Sequence, residues 1–189
     1  MFKEVYTNMN SKKLAQNIVD TVKEWQIKIG YQNESMRLYY PSASLIELLD
    51  LDEDTGLEDL IKKLDKFALE QQSLWGKIQI SNEGERVCIL VPAKGVTYIH
   101  EHVPDSEFLK AFLKEITTPG CTLENIRDVF YSFSQQVKEE DLEQEGLGNV
   151  FYFEDDTIDA YVYCLEFDEF GATYHRFSKE DYKKLRKMH

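Results

Sequence analysis

The run VFYFEDDTIDAYVYCLEF, Val150 to Phe167, decides how the second half of the chain is read. On both sides of Glu154-Asp155-Asp156-Thr157 the period of apolar residues is two, the pattern of strands joined by a turn. Strands are expected at 150–154, 159–167 and, after Asp168-Glu169-Phe170-Gly171, at 172–177. Ser178 with Asp181 then starts a helix carrying Lys179, Lys183, Lys184, Arg186 and Lys187. The run sits in a wider window, 139 to 169, that holds twelve carboxylates and neither Lys nor Arg, nearly all of the formal charge of −13. Its aromatic and β-branched residues mark it as folded, so it is not a disordered acidic tail. A folded acidic element repels nucleic acid and attracts cations or basic partners.

Upstream, Glu139 to Glu145 and Gly146-Leu147-Gly148 read as a solvated linker. Before it, Thr122 caps a helix that buries Ile126, Val129, Phe130 and Phe133, and another helix after Pro104-Asp105 carries Phe108, Leu109, Phe112 and Ile116. In the first half, Leu14, Ile18, Val22, Trp25 and Ile29 form one helical face over 11–29, closed by Gly30. Met36 to Tyr40 is a short extended run. Ser44 and Glu47 read as a capping box for a helix over 42–50, and a longer helix follows over 56–74. Strands at 77–81 and 86–91 flank a hairpin connection, Asn82 to Glu85; Val96, Ile99 and Val103 then have helical spacing.

This order of helix, strand, helix, helix, hairpin resembles the winged-helix fold over residues 11 to about 100, and Val91-Pro92-Ala93-Lys94-Gly95-Val96 looks like the exit from a wing. Asp159-Ala-Tyr-Val-Tyr-Cys164 and Thr173-Tyr-His-Arg-Phe177 resemble an uncharacterised bacterial family of unknown function, which implies neither an activity nor a site. The expected class is α+β: a winged-helix-like region over 1–103 and an α+β region with an acidic antiparallel sheet over 104–189, or both as one continuous domain.

Several chemistries are weighed and set aside. The would-be recognition helix holds Lys62, Lys63 and Lys66 against Glu58, Asp59, Asp65 and Glu70, so it lacks the cation excess that phosphate contacts require. The loop Asp50 to Gly56 misplaces the glycine of a calcium loop and puts Ile61 where a bidentate Glu belongs. Glu154, Asp155, Asp156 and Asp159 have the oxygen ligands for a divalent cation, but a solvated hairpin turn is the preferred explanation for them. His100 and His102 share a face only on a strand. Cys164 falls opposite His175 if Phe167 pairs with Ala172, a geometry for a thiolate nucleophile that has no third orienting group. Phe151, Tyr152, Phe153, Tyr161 and Tyr163 suit a core face with tyrosines covering the other side. Neither a phosphate loop nor a Ser/His/Asp set occurs.

No cofactor or metal is therefore expected. Cys88, Cys121 and Cys164 form no Cys-x-x-Cys, and the longest apolar run, Val87 to Val91, cannot span a bilayer, so a cytoplasmic protein is expected. The favoured reading is a non-catalytic interaction protein with an acidic surface for a basic protein partner. The alternatives are a winged-helix transcription regulator and a carboxylate- or metal-dependent enzyme. Candidate binding residues are Asp159, Tyr161, Tyr163, Cys164, Glu166, Tyr174, His175 and Arg176. Arg176 is expected to anchor Glu166 or Asp159, and the basic helix to neutralise part of the 139–145 run.

Overall fold

A computed structural model describes residues 11–84, 86–169 and 171–188. They form an α+β structure with seven α-helices and two antiparallel sheets, divided into two compact units, one ending at Pro104 and one beginning at Asp105.

The N-terminal unit runs α1 (Lys12–Ile29), β1 (Met36–Pro41), α2 (Ser42–Leu48), α3 (Leu57–Trp75), β2 (Gln79–Glu83), β3 (Arg86–Val91) and α4 (Ala93–His102). Its strands lie in the order β1-β3-β2. The core joins Leu14, Ile18 and Val22 of α1 to Leu60, Leu64, Phe67 and Trp75 of α3 and to Val87, Ile89 and Val91 of β3. Gly95 lets α4 close on this core, since a Cβ there would lie 3.0 Å from the Trp75 side chain and carbonyl.

Three local expectations change here. The buried stripe of α1 advances by fours, Leu14-Ile18-Val22-Gln26, so Trp25 and Ile29 rotate off it and lie half exposed. Ser44 caps nothing: α2 begins at Ser42, directly after Pro41 at φ −58°, which leaves Ser44 inside the first turn. Gly56 stands at the start of α3, and no side chain completes that cap. The hairpin is also tighter than expected, with strand β2 at 79–83 and Glu83 paired to Arg86.

The C-terminal unit runs α5 (Glu107–Ile116), α6 (Leu123–Phe133), β4 (Val137–Leu142), a 3₁₀ turn (Glu143–Glu145), β5 (Gly148–Phe153), β6 (Tyr161–Asp168), β7 (Gly171–Ser178) and α7 (Lys179–Met188). Thr122 caps α6 through a reciprocal box with Asn125. The sheet is a simple meander, β4-β5-β6-β7. The linker expected at 139–145 is instead strand β4 and its turn, paired with β5 from Val137↔Phe153 to Leu142↔Gly148. An edge strand tolerates this density of charge because only one of its sides is paired.

Period-two alternation splits the sheet into two faces. One presents Phe151, Phe153 and Tyr163 to Phe108, Phe112 and Phe130 of α5 and α6, with ring centroids 4.7 to 6.1 Å apart. The other presents Leu142, Val150, Val162 and Cys164, packed with Tyr182 of α7. Tyrosine does not cover one face while phenylalanine fills the other: Tyr163 lies directly opposite Phe151 on the same face and is fully buried.

Candidate functional site: an acidic sheet under a basic helix

The register places the candidate residues on the two faces in turn. Phe167 pairs with Ala172, so Cys164 does stand opposite His175. Glu166 is two residues along the same strand and shares their face. Tyr161, Tyr163, Tyr174 and Arg176 lie on the opposite face, toward α5 and α6. The eight residues thus form no single pocket. Tyr163 and Tyr174 pack on Phe112 at 4.7 and 5.1 Å. Asp159 is buried in the β5–β6 connection, where its carboxylate accepts the Tyr161 N–H at 2.9 Å.

Arg176 does not reach Glu166, since the two side chains leave the sheet in opposite directions. Its guanidinium instead lies over the Tyr161 ring, 3.8 Å from the centroid. His175 is exposed, whereas Cys164 is buried beside it. Burial, with the Glu140 and Glu166 carboxylates adding to it, pushes the Cys164 thiol up to about 11. A thiol held protonated in this way is no nucleophile at neutral pH.

The carboxylates of the β5–β6 turn are engaged one by one. Glu154 pairs with Lys138 at 3.0 Å, Asp155 accepts the Thr157 N–H, and Asp156 pairs with Lys179. Among the described residues no three His, Cys, Asp or Glu side chains converge as metal ligands. The calcium-like loop likewise sends Asp50 to Lys13, at 2.8 Å. On α4, which is a helix, His100 and His102 diverge and stack on different tyrosines, Tyr31 and Tyr98.

Glu140, on the strand mistaken for a linker, is the residue the sequence reading missed. One row crosses the α7 face of the sheet: Glu140, Val150, Cys164, His175. Glu140 accepts the Tyr152 hydroxyl at 3.2 Å and pairs with Arg186 of α7 at 3.4 Å. Burial, followed by the charge of Glu140, pushes the Tyr182 phenol well above its ordinary range. The basic helix therefore does answer the 139–145 run, through this carboxylate. At its other end Lys179 donates to the Phe153 carbonyl at 2.7 Å. On the α6 side Glu139 takes Arg127 Nε at 2.9 Å, and this partner raises the guanidinium pKa further.

The register also gathers charge at one end. Leu142 pairs with Gly148, Asn149 with Leu165 and Asp168 with Gly171, so the β4–β5 and β6–β7 turns lie side by side. Asp141, Glu143, Glu166, Asp168 and Glu169 are exposed there. Residues 139–175 contribute no Lys or Arg.

Elsewhere, a cleft in the N-terminal unit is lined by Ser11, Leu49, Lys63, Lys66, Phe67 and Glu70 and holds none of the candidate residues. No described helix is long and apolar enough to cross a membrane.

No curated protein and no solved structure matches the chain, so the winged-helix resemblance of the N-terminal unit is not confirmed. A family model does match, over residues 11–186, and covers both units. The chain belongs to that family, DUF3877, a domain of unknown function described from an E. rectale gene.

Proposed function

We propose that this chain is a non-catalytic cytoplasmic interaction protein that docks a basic protein partner on the acidic sheet of its C-terminal unit. The observation that carries the reading is the end of that sheet, where Asp141, Glu143, Glu166, Asp168 and Glu169 are exposed together. Close carboxylates of one sign steer a cationic partner and favour its association, the more so at low salt. The catalytic alternative has less support, because Cys164 is held as a thiol and the remaining candidates lie on opposite faces. A DNA-binding reading of α3 is also weakened: Lys62 pairs with Glu58 and Asp59, and Lys66 with Glu70. The three free cysteines fit a reducing compartment.

The test is fluorescence anisotropy of a labelled lysine-rich peptide with two equally neutralised proteins. One carries Asp141→Asn, Glu143→Gln, Asp168→Asn and Glu169→Gln; the other carries Asp52→Asn, Glu53→Gln, Asp54→Asn and Glu58→Gln in the N-terminal unit. Only the first should lose binding, by tenfold or more at low salt. Equal losses in both would mean that net charge, not this surface, is what the peptide senses.

A further inference from the structure

We propose that α7 is a displaceable strap, seated on the acidic sheet in the place that a basic amphipathic helix of the partner takes. This rests on the reading that the sheet docks a basic partner, and adds how access to it is controlled.

The chemistry of α7 matches what it covers. It carries Lys179, Lys183, Lys184, Arg186 and Lys187 against only Glu180 and Asp181, and it lies on a sheet whose strands β4 and β6 carry Glu139, Glu140, Asp141, Glu166 and Asp168. Arg186 reaches Glu140 and Lys179 reaches Asp156, so both ends of the helix are tied by charge. Beneath it runs a dry strip, Leu142, Val150, Val162 and Cys164, bordered by Tyr152 and Phe177. Glu140 lies on one side of this strip and Glu166 continues it toward the acidic end. An apolar strip with flanking carboxylates is a seat for a helix with an apolar stripe and cationic flanks.

The hold of α7 on that seat is of the competable kind. Among its described side chains Tyr182 alone is buried, with Leu185 half-buried. The Arg186–Glu140 side chains remain 36% and 30% exposed, and those of Lys179–Asp156 25% and 65%, so water and salt reach both pairs. Beneath the helix, Val150 and Val162 are fully buried and Cys164 nearly so. Exposing them to water is costly, whereas exchanging one covering helix for another is not. A partner helix that offers an aromatic and an aliphatic residue three positions apart, as Tyr182 and Leu185 are, with Lys or Arg on its flanks, reproduces the whole contact.

Two measurements on the full chain test this. Hydrogen exchange followed by mass spectrometry compares α7 amides with those of β6, at 50 mM and 500 mM salt as the chosen conditions. The α7 amides should exchange at least tenfold faster than β6, and faster still at high salt. In parallel, a labelled peptide with the sequence of residues 178–189 is titrated into the wild type and into Arg186→Glu, with Lys179→Gln as a second weakened variant should the first fold poorly. The weakened chain should bind the peptide about tenfold more tightly, because its own helix competes less. Protection of α7 equal to that of β6 in all chains, or equal peptide affinity for wild type and variant, overturns the strap. If α7 stays closed while the lysine-rich peptide still binds through the turn carboxylates, only the strap is lost. If α7 opens and neither peptide binds, the docking reading itself falls.

Discussion

Gly148 gives the sharpest test of how the acidic end is built. It opens β5 at φ +65°, in the left-handed region. A Cβ added there would lie under 3.0 Å from the Leu165 carbonyl oxygen, 3.1 Å from its carbon and 3.3 Å from Glu166 Cγ. The Leu165 oxygen belongs to the backbone of β6 and cannot rotate away, so Gly148→Ala must push β5 from β6 at the point where β4, β5 and β6 meet the turn. Gly146 is the internal control. It too is left-handed, at φ +74°, but a Cβ there meets nothing within 4 Å. Left-handed backbone costs a residue with a Cβ about 1–2 kcal/mol, and both variants carry that cost. Gly148→Ala adds the strain of forcing a group into packed space, about 1–3 kcal/mol. Any gain from a stiffer unfolded chain is the same in both and cancels in the comparison. Urea unfolding followed by circular dichroism should therefore place Gly148→Ala about 1–3 kcal/mol below Gly146→Ala, with similar m-values. A difference under roughly 0.5 kcal/mol, within the error of such measurements, would refute the close approach of β5 to β6 and the register drawn from it.

Two further outcomes are expected. Phe130 touches Phe108, Phe112, Phe151, Phe153 and Tyr163, so Phe130→Ala should cost about 3–5 kcal/mol in urea unfolding; a loss below roughly 1.5 kcal/mol would mean that these rings do not pack the unit. With Cys88 and Cys121 replaced by serine, alkylation of Cys164 by iodoacetamide should climb about tenfold per pH unit up to about 11, where an ordinary thiol levels off near 9.0. The sign for stability is that of a raised folded-state pKa: the contribution is complete below about pH 9 and is lost as the pH rises toward 11. A plateau near pH 9 would show an exposed thiol.

Where local chemistry decides the outcome, the sequence was readable. Thr122 and Ser178 cap the helices they were expected to cap, because a hydroxyl beside free N–H groups has few competing uses. The Cys164–His175 register follows from one assumed turn pairing, Phe167 with Ala172. Strand β4 escaped because its two apolar ends, Val137 and Leu142, are five apart and so fall on opposite faces. No alternation is left to see, and the charged residues between them look like solvent. Glu140 was invisible for the same reason, and its partners Tyr152 and Arg186 are 12 and 46 positions away. The composition showed that opposite charges were present in one half of the chain. Only the strand pairing shows which of them meet, and it puts Arg176 on the wrong face for Glu166.

The distribution of charge then separates what the fold needs from what it does not. Residues 105–189 carry ten Lys and Arg against nineteen Asp and Glu, a net of −9 out of the chain's −13. Self-repulsion on that scale opposes compaction. Arg127, Lys138, Lys179 and Arg186 counter it at Glu139, Glu154, Asp156 and Glu140, that is, at the β4 edge and around the β5–β6 turn. Solubility alone would be served by carboxylates spread over any exposed position. Here five of them share the opposite end of the sheet, on two turns and the strand ends beside them that pairing forces together, in a stretch of chain with no cation before Arg176. Holding them there adds repulsion that the fold does not require, and that cost has a use if a cationic group arrives to offset it.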